Sequence, residues 1–256
     1  TELIGATPGA GFRGGMLLLD GVQDVLLRDL AFDDARDLFP EWDPLDGALG
    51  EWNSAYDNVS LRRAERVRVL HCEFSSGPRT SETAFGRVLM RHDGLLDITR
   101  ASDRVEVGWC RFREHDKTML IGGSDRHLED EGRLNVSLHH NLWQACRERT
   151  PRVRHGRVHV WENLFVVERA EDYGYSLGVG HRARLFSERN VWELPPEVVP
   201  SRLVRRLGEG AFVDRGSIAN GTPLALSAGP APDGEPPAVA HPLPVGQVAA
   251  AVRAGA

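Results

Sequence analysis

Five segments of the chain share one pattern: RVRVLHCEF (66–74), DRVEVGWCRF (103–112), LNVSLHHNLW (134–143), GRVHVWENLF (156–165) and ARLFSERNVW (183–192). Each carries a small polar slot, at Cys72, Cys110, Asn141, Asn163 and Asn190, and a large aromatic two residues later, at Phe74, Phe112, Trp143, Phe165 and Trp192. Apolar residues stand five and three positions before the slot, as in Val67/Val69, Val105/Val107, Val136/Leu138 and Val158/Val160. The fifth copy is weaker, with Leu185 and Ser187, and an earlier copy fits with Val25, Leu27, slot Leu30 and Phe32. Alternation at period two means strands. Slot spacings run from 42 residues down to 22, too long and irregular for a helical repeat of fixed length and suited to a solenoid with loops of variable length. Parallel strands stack about 4.8 Å apart, so equal slots lie above one another and a column of Asn can hydrogen-bond from coil to coil.

A second strand series precedes the first in each coil, at 59–61, 96–98, 119–122, 151–154 and 176–180. Two strands per coil, repeated, predict an all-β parallel β-helix over residues 1–192. Residues 193–256 hold much of the Pro, including GPAPDGEPP (229–237), and end in an Ala-rich helical segment, 246–256. They are expected to be a packing tail of the same domain. Cys72 and Cys110 are expected to be buried thiols of the column, since three cysteines make neither a disulfide framework nor a CxxC metal site. No apolar run approaches the ~20 residues of a membrane-spanning helix. The net charge of −6 argues against a nucleic-acid binder held by overall charge.

The second series carries the polar residues of interest. Asp57 precedes one strand, Asp93 and Asp97 flank Gly-Leu-Leu in the next coil, and Lys117, the one Lys among 31 basic residues, precedes the third. Arg149, Arg152 and Arg154 form R-x-P-R-V-R around the fourth. Stacking the coils brings these onto one face as a groove, acidic at one end and cationic at the other. Three carboxylates with no cation among them raise one another's pKa. A hard, oxygen-loving cation such as calcium relieves this; a salt-bridge network with the arginines is the other reading. Alternation points Arg152 and Arg154 to one face, which favours an anion site over solvated charge. His139 and His140, inside a strand, are read as packing residues.

The stretches HDGLLDITRASDRVEVGWCRFREHDKTMLIGGSD (92–125) and LHHNLWQACRERTPRVRHGRVHVWENLF (138–165) resemble pectate lyases of polysaccharide lyase family 1, with a likeness running from about residue 1 to 193. The resemblance implies a right-handed parallel β-helix with an asparagine ladder. It implies calcium-dependent β-elimination of polygalacturonate, giving 4,5-unsaturated products, by a secreted, monomeric enzyme. Matched by position, Asp57, Asp93 and Asp97 are the calcium ligands, Arg149 is the base for the C5 proton, and Lys117 and Arg154 hold the uronate carboxylates. A guanidinium titrates above pH 12, so an alkaline optimum follows. Two other activities are considered: a pectin lyase, which should lack the acidic triad, and a non-catalytic polysaccharide-binding β-helix. Family members usually read W-[IV]-D-H where this chain has Val69-Leu70-His71, a departure expected to touch the groove. The stretch ELIGATPGAGFRGG (2–15) resembles a point after the family's first strands, so a missing N-terminal cap is expected.

Overall fold

The computed structural model describes residues 1–45, 49–77 and 82–256. Three parallel sheets wind as successive coils of a β-helix. The first contains Glu65–Leu70, Asp103–Gly108, Asn135–His139, Arg157–Trp161 and Arg184–Glu188; the second contains Glu73–Ser75, Arg111–Arg113, Leu142–Gln144, Leu164–Val166 and Val191–Glu193. The third contains Val59–Arg62, Leu96–Thr99, Leu120–Ile121, Arg152–Val153 and Leu177–Val179.

The coil therefore has three strands, where the sequence pattern predicts two. What reads as one strand through each slot is broken by a single residue with φ near +50°: His71, Trp109, His140, Glu162 and Arg189, each immediately before its slot. One left-handed residue turns the chain sharply at a cost of about 1 kcal/mol for a non-glycine. The turn puts the slot side chain inside the corner. There the slots form the expected column. Backbone N–H groups of Cys110, Asn141 and Asn163 donate to the side-chain oxygens of Asn141, Asn163 and Asn190 at 3.0, 2.9 and 2.9 Å. These N–H groups sit at a corner, where no sheet partner is available, so the next coil's amide satisfies them. Cys72 and Cys110 occupy the upper rungs as buried free thiols, the Cys72 N–H lying 3.4 Å from Cys110 Sγ.

The aromatic two residues on enters the core and stacks on its counterpart in the next coil. Phe12, Phe32, Phe74, Phe112, Trp143, Phe165 and Trp192 form one column with centroids 4.2–6.0 Å apart and planes within 13°. Val67, Val69, Val105, Val107, Val158 and Val160 fill the interior from the first sheet, all at most 2% exposed.

The parallel register continues past residue 192. Val204–Arg206, Ala211–Arg215 and Ile218–Ala219 add a further coil, and Ser217 is its slot, accepting the Asn190 N–H at 3.1 Å. After that coil the chain packs on the outside. The Arg157 guanidinium holds the Asp233 carbonyl, and the Leu243 N–H donates to Glu162 Oε1 at 2.9 Å. The helix Val245–Gly255 then buries Val248 and Val252 against Leu142, Leu164 and Val191 on the outer side of the second sheet. His139 and His140 are packed against indoles, with centroids 4.6 Å from Trp161 and 4.2 Å from Trp109.

Candidate active site

Along each third-sheet strand, residues alternate between core and exterior. Leu96 and Ile98 point inward while Asp97 and Thr99 point outward, and Leu61, Ile121 and Val153 continue the inward row. Pairing places Asp97 beside Ser60, Leu120 beside Arg152, and Arg152 beside Gly178. The outward row thus becomes a groove floor, and the connections entering the third sheet become its wall.

The acidic residues gather where that wall meets the floor. The Asp57 carboxylate accepts the Gly94 N–H at 2.9 Å, and Asp97 Oδ1 accepts the Leu120 N–H at 2.9 Å. A β-carbon placed on Gly94 would lie 2.4 Å from Asp97 Oδ1 and 3.0 Å from Asp57 Oδ1. Both carboxylates therefore close on one point, and glycine is what leaves them room. Burial, then the charges of Asp57 and Asp93, push Asp97 well above the usual carboxylate range. Burial and Asp93 push Asp57 up to about 6. Asp93 is raised by burial, against the pull of Lys117 and Arg149, and its Oδ1 stands 4.0 Å from Lys117 Nζ.

The cations come from the next two coils, on one side of this group. Lys117 precedes Leu120–Ile121 and forms an isolated parallel bridge with Glu148 in the next coil. Arg149, at φ +61°, precedes Arg152–Val153; its carbonyl accepts the Met119 N–H, and its Nε lies 3.3 Å from Glu148 Oε1. Asp57, Asp93, Asp97, Lys117 and Arg149 are thus assembled near the start of the third-sheet strands. Arg154 is not among them. It lies past the end of its strand, held by Asp125 at 2.8 Å and by the Gly122 carbonyl at 3.1 Å.

The sequence places Arg152 in an anion site with Arg154 and does not mark His115. Arg152 stands in the groove floor between Leu120 and Gly178, its guanidinium pKa lowered by burial and by Arg154. Its place follows from register, two strands from Asp97. His115 is buried in the wall, with Nδ1 2.7 Å from Ser76 Oγ and Nε2 2.5 Å from the Asp93 carbonyl, so it fixes the backbone that presents Asp93. No local motif marks it. A cleft of about 520 Å³ runs along this wall past Asp93, His115 and Lys117. Leu70, expected to touch the groove, does not. It ends Glu65–Leu70 at the corner between the first and second sheets, where His71 Nδ1 lies 2.9 Å from the Gly255 carbonyl of the C-terminal helix.

Among the described residues, no three His, Cys, Asp or Glu side chains form a closed metal cage. The donor set nevertheless suits a hard divalent cation. Two buried carboxylates meet at one point, a third adds its charge, and all three are raised by desolvation. A bound dication would lower the energy of the ionised forms.

The family model described as pectate lyase matches residues 1–232. A pectate lyase of Bacillus subtilis is 32% identical over 234 residues, covering 89% of this chain and 56% of its own length. Pectate lyase E of Dickeya dadantii is 37% identical over 240 residues, covering 89% and 58%. The chain thus spans a little over half the length of these relatives. A pectate lyase solved with a bound hexasaccharide superposes with a TM-score of 0.94 at 28% identity, over 100% of this chain and 66% of that one. A thermostable pectate lyase gives 0.92 at 33% identity, over 99% and 66%. With a family match across nearly the whole sequence and these superpositions, the chain belongs to the pectate lyase family.

Proposed function

We propose that the chain cleaves α-1,4-polygalacturonate by calcium-dependent β-elimination, leaving a 4,5-unsaturated sugar at the new non-reducing end. The observation that carries this reading is the convergence of Asp57 and Asp97 beside Asp93, with Lys117 and Arg149 at the same end of the groove. Asp57, Asp93 and Asp97 would hold the calcium, which when bound supplies positive charge against the uronate carboxylate. Lys117 orients that carboxylate and offsets its charge, which makes the neighbouring C5–H more acidic. Arg149, having first given up one guanidinium proton to solvent at alkaline pH, takes the C5 proton in its neutral form. The electron pair left on C5 forms the C4=C5 double bond as the C4–O4 bond breaks, and the departing oxygen is protonated. Arg154, at the far end of its strand, holds the carboxylate of a neighbouring sugar.

A calcium-fed reaction on an extracellular plant polymer goes with a secreted enzyme acting as a monomer. The test is the ultraviolet absorbance of the unsaturated product from polygalacturonate at alkaline pH. Product that forms with calcium and is lost on chelation supports the reading; no product with calcium present defeats it.

A further inference from the structure

Beside the cleft that holds Asp93 and Lys117, residues adjacent in sequence to its lining form an aromatic cluster. Two antiparallel hairpins stand off the coil stack: Glu41–Asp43 with Glu51–Asn53, and Thr83–Ala84 with Arg87–Val88. Trp42 and Trp52 are 5.3 Å apart edge-on, and Phe85 stacks on Trp52 at 5.5 Å with planes 7° apart. The Trp52 indole N–H donates to the Ala84 carbonyl at 2.9 Å and ties the second hairpin to the first. None of these rings belongs to either hydrophobic core. Phe85 is 80% exposed, although it occupies a hairpin turn at φ +53°, a conformation that Asn or Gly adopts at lower cost. A bulky ring kept at such a turn, backed by two indoles and left open to solvent, contributes little to folding.

Its neighbours supply the chemistry. Glu51, Gly86, Arg87 and Val88 line the same cleft as Asp93 and Lys117. Arg87 is half-buried, and no hydrogen bond or ion pair to its guanidinium is found among the described residues. A flat apolar face next to a cation fits a uronic acid ring. The C–H face of the pyranose lies on the aromatic surface, and the carboxylate at its rim reaches the guanidinium.

We propose that Phe85, backed by Trp42 and Trp52 and accompanied by Arg87, binds one galacturonate residue of the substrate chain beyond the cleavage site, so that the protein favours long chains over short ones. This rests on the proposed function for the identity of the polymer. The full chain and its Phe85→Ala, Phe85→Tyr and Arg87→Ala variants are compared in two ways: product formation from polygalacturonate and from trigalacturonate, and retardation in native gels cast with polygalacturonate. Phe85→Ala should raise KM for the polymer about 3- to 10-fold, the worth of one aromatic contact, more than for the trimer and more than it changes kcat. Phe85→Tyr should restore it, and Arg87→Ala should weaken polymer binding with a steeper loss at low salt. Equal KM values for wild type and Phe85→Ala overturn the proposal, as does an equal loss on polymer and trimer. If wild type forms no product, the lyase reading fails and the gels decide the role of the aromatic cluster. Retardation of wild type lost in Phe85→Ala sustains it; equal retardation of both, or none of wild type, overturns it.

Discussion

The corner between the first and second sheets and the outer side of the third sheet both bury polar groups, yet they use them in opposite ways. At the corner each polar group has a partner one coil away. The Asn141 amide donates to the Val107 carbonyl and to Asn163 at 3.0 Å each, and Asn163 repeats this with Leu138 and Asn190. Along the third sheet, carboxylates of like charge are pressed together and guanidinium groups crowd one another. The first arrangement lowers the free energy of the coil. The second is held in place by the rest of the fold, and the cost is accepted where a charged ligand is to be bound.

Substitutions on the two sides should therefore separate activity from stability. The largest effect is expected at Arg149. Arg149→Lys keeps the charge but loses reach and the planar fork. Turnover on polygalacturonate should fall by at least ~10², the usual worth of a positioned acid–base group, with the melting temperature unchanged. Near-normal turnover at saturating substrate would remove Arg149 from that role.

The reverse pattern should follow from Asn163→Leu. The Asn141 N–H loses its acceptor in a fully buried corner, at a cost on the order of 1–3 kcal/mol. Denaturant titration should show that loss, while kcat on the remaining folded protein stays close to wild type. A variant as stable as wild type would contradict the ladder's role in holding the coils.

Asp97→Asn tests the contrast most directly. Asp97 has a raised folded-state pKa, so its ionised form opposes folding, and the stability it allows at low pH is lost as pH rises through the ordinary carboxylate range and beyond. Asparagine keeps an oxygen for the Leu120 N–H without the charge. In chelator at pH 8 the variant should be more stable than wild type by about 1–2 kcal/mol, and in calcium it should be inactive. A lower melting temperature in chelator would show that the carboxylate group is not under strain.

The smallest effect concerns the outer side of the first sheet. The His139 ring at 3.1 Å, then Arg68, hold Glu106 down to about 2. A depressed folded-state pKa gives stability that is present above the ordinary glutamate value and lost as pH falls from about 4.5 toward 2. Glu106 is partly exposed, so screening reduces this to about 1 kcal/mol. Glu106→Gln should flatten that part of the stability–pH curve; an unchanged acid limb would show the pair contributes nothing.

The column of slots and aromatics was legible in the sequence because each coil must place the same chemistry at the same point. The third-sheet strands were legible as a series for the same reason. The break of the long strand in two was not. The residues that make the turn are His71, Trp109, His140, Glu162 and Arg189, with no glycine or asparagine among them to mark it. The last rung was hidden by its own residues, since Ser217 is followed by Ala219 where the other copies have an aromatic. At the site, motif positions marked Asp57, Asp93, Asp97, Lys117 and Arg149. Arg152 was legible as a cation of R-x-P-R-V-R, but its place in the groove floor needed strand register, and His115 needed the wall to be folded against Ser76 and Asp93.

The varying length of the coils has a practical meaning. The corner from first to second sheet is short in every turn, whereas the passage from second to third sheet takes residues 76–95 in one coil and only 114–119, 145–151 and 167–176 in the next three. The passage from third to first sheet varies too, with residues 122–134 in one coil against 100–102 and 154–156 in its neighbours, so length is free to change on either side of the third sheet while the rungs keep the frame in register. The protein resembles a loom whose warp is fixed and whose fringe is adjustable: lengthening or trimming a single fringe alters the bank of the channel without reweaving the cloth. Transplanting one such segment from a relative should therefore change the wall of the groove while leaving the stacked rungs intact.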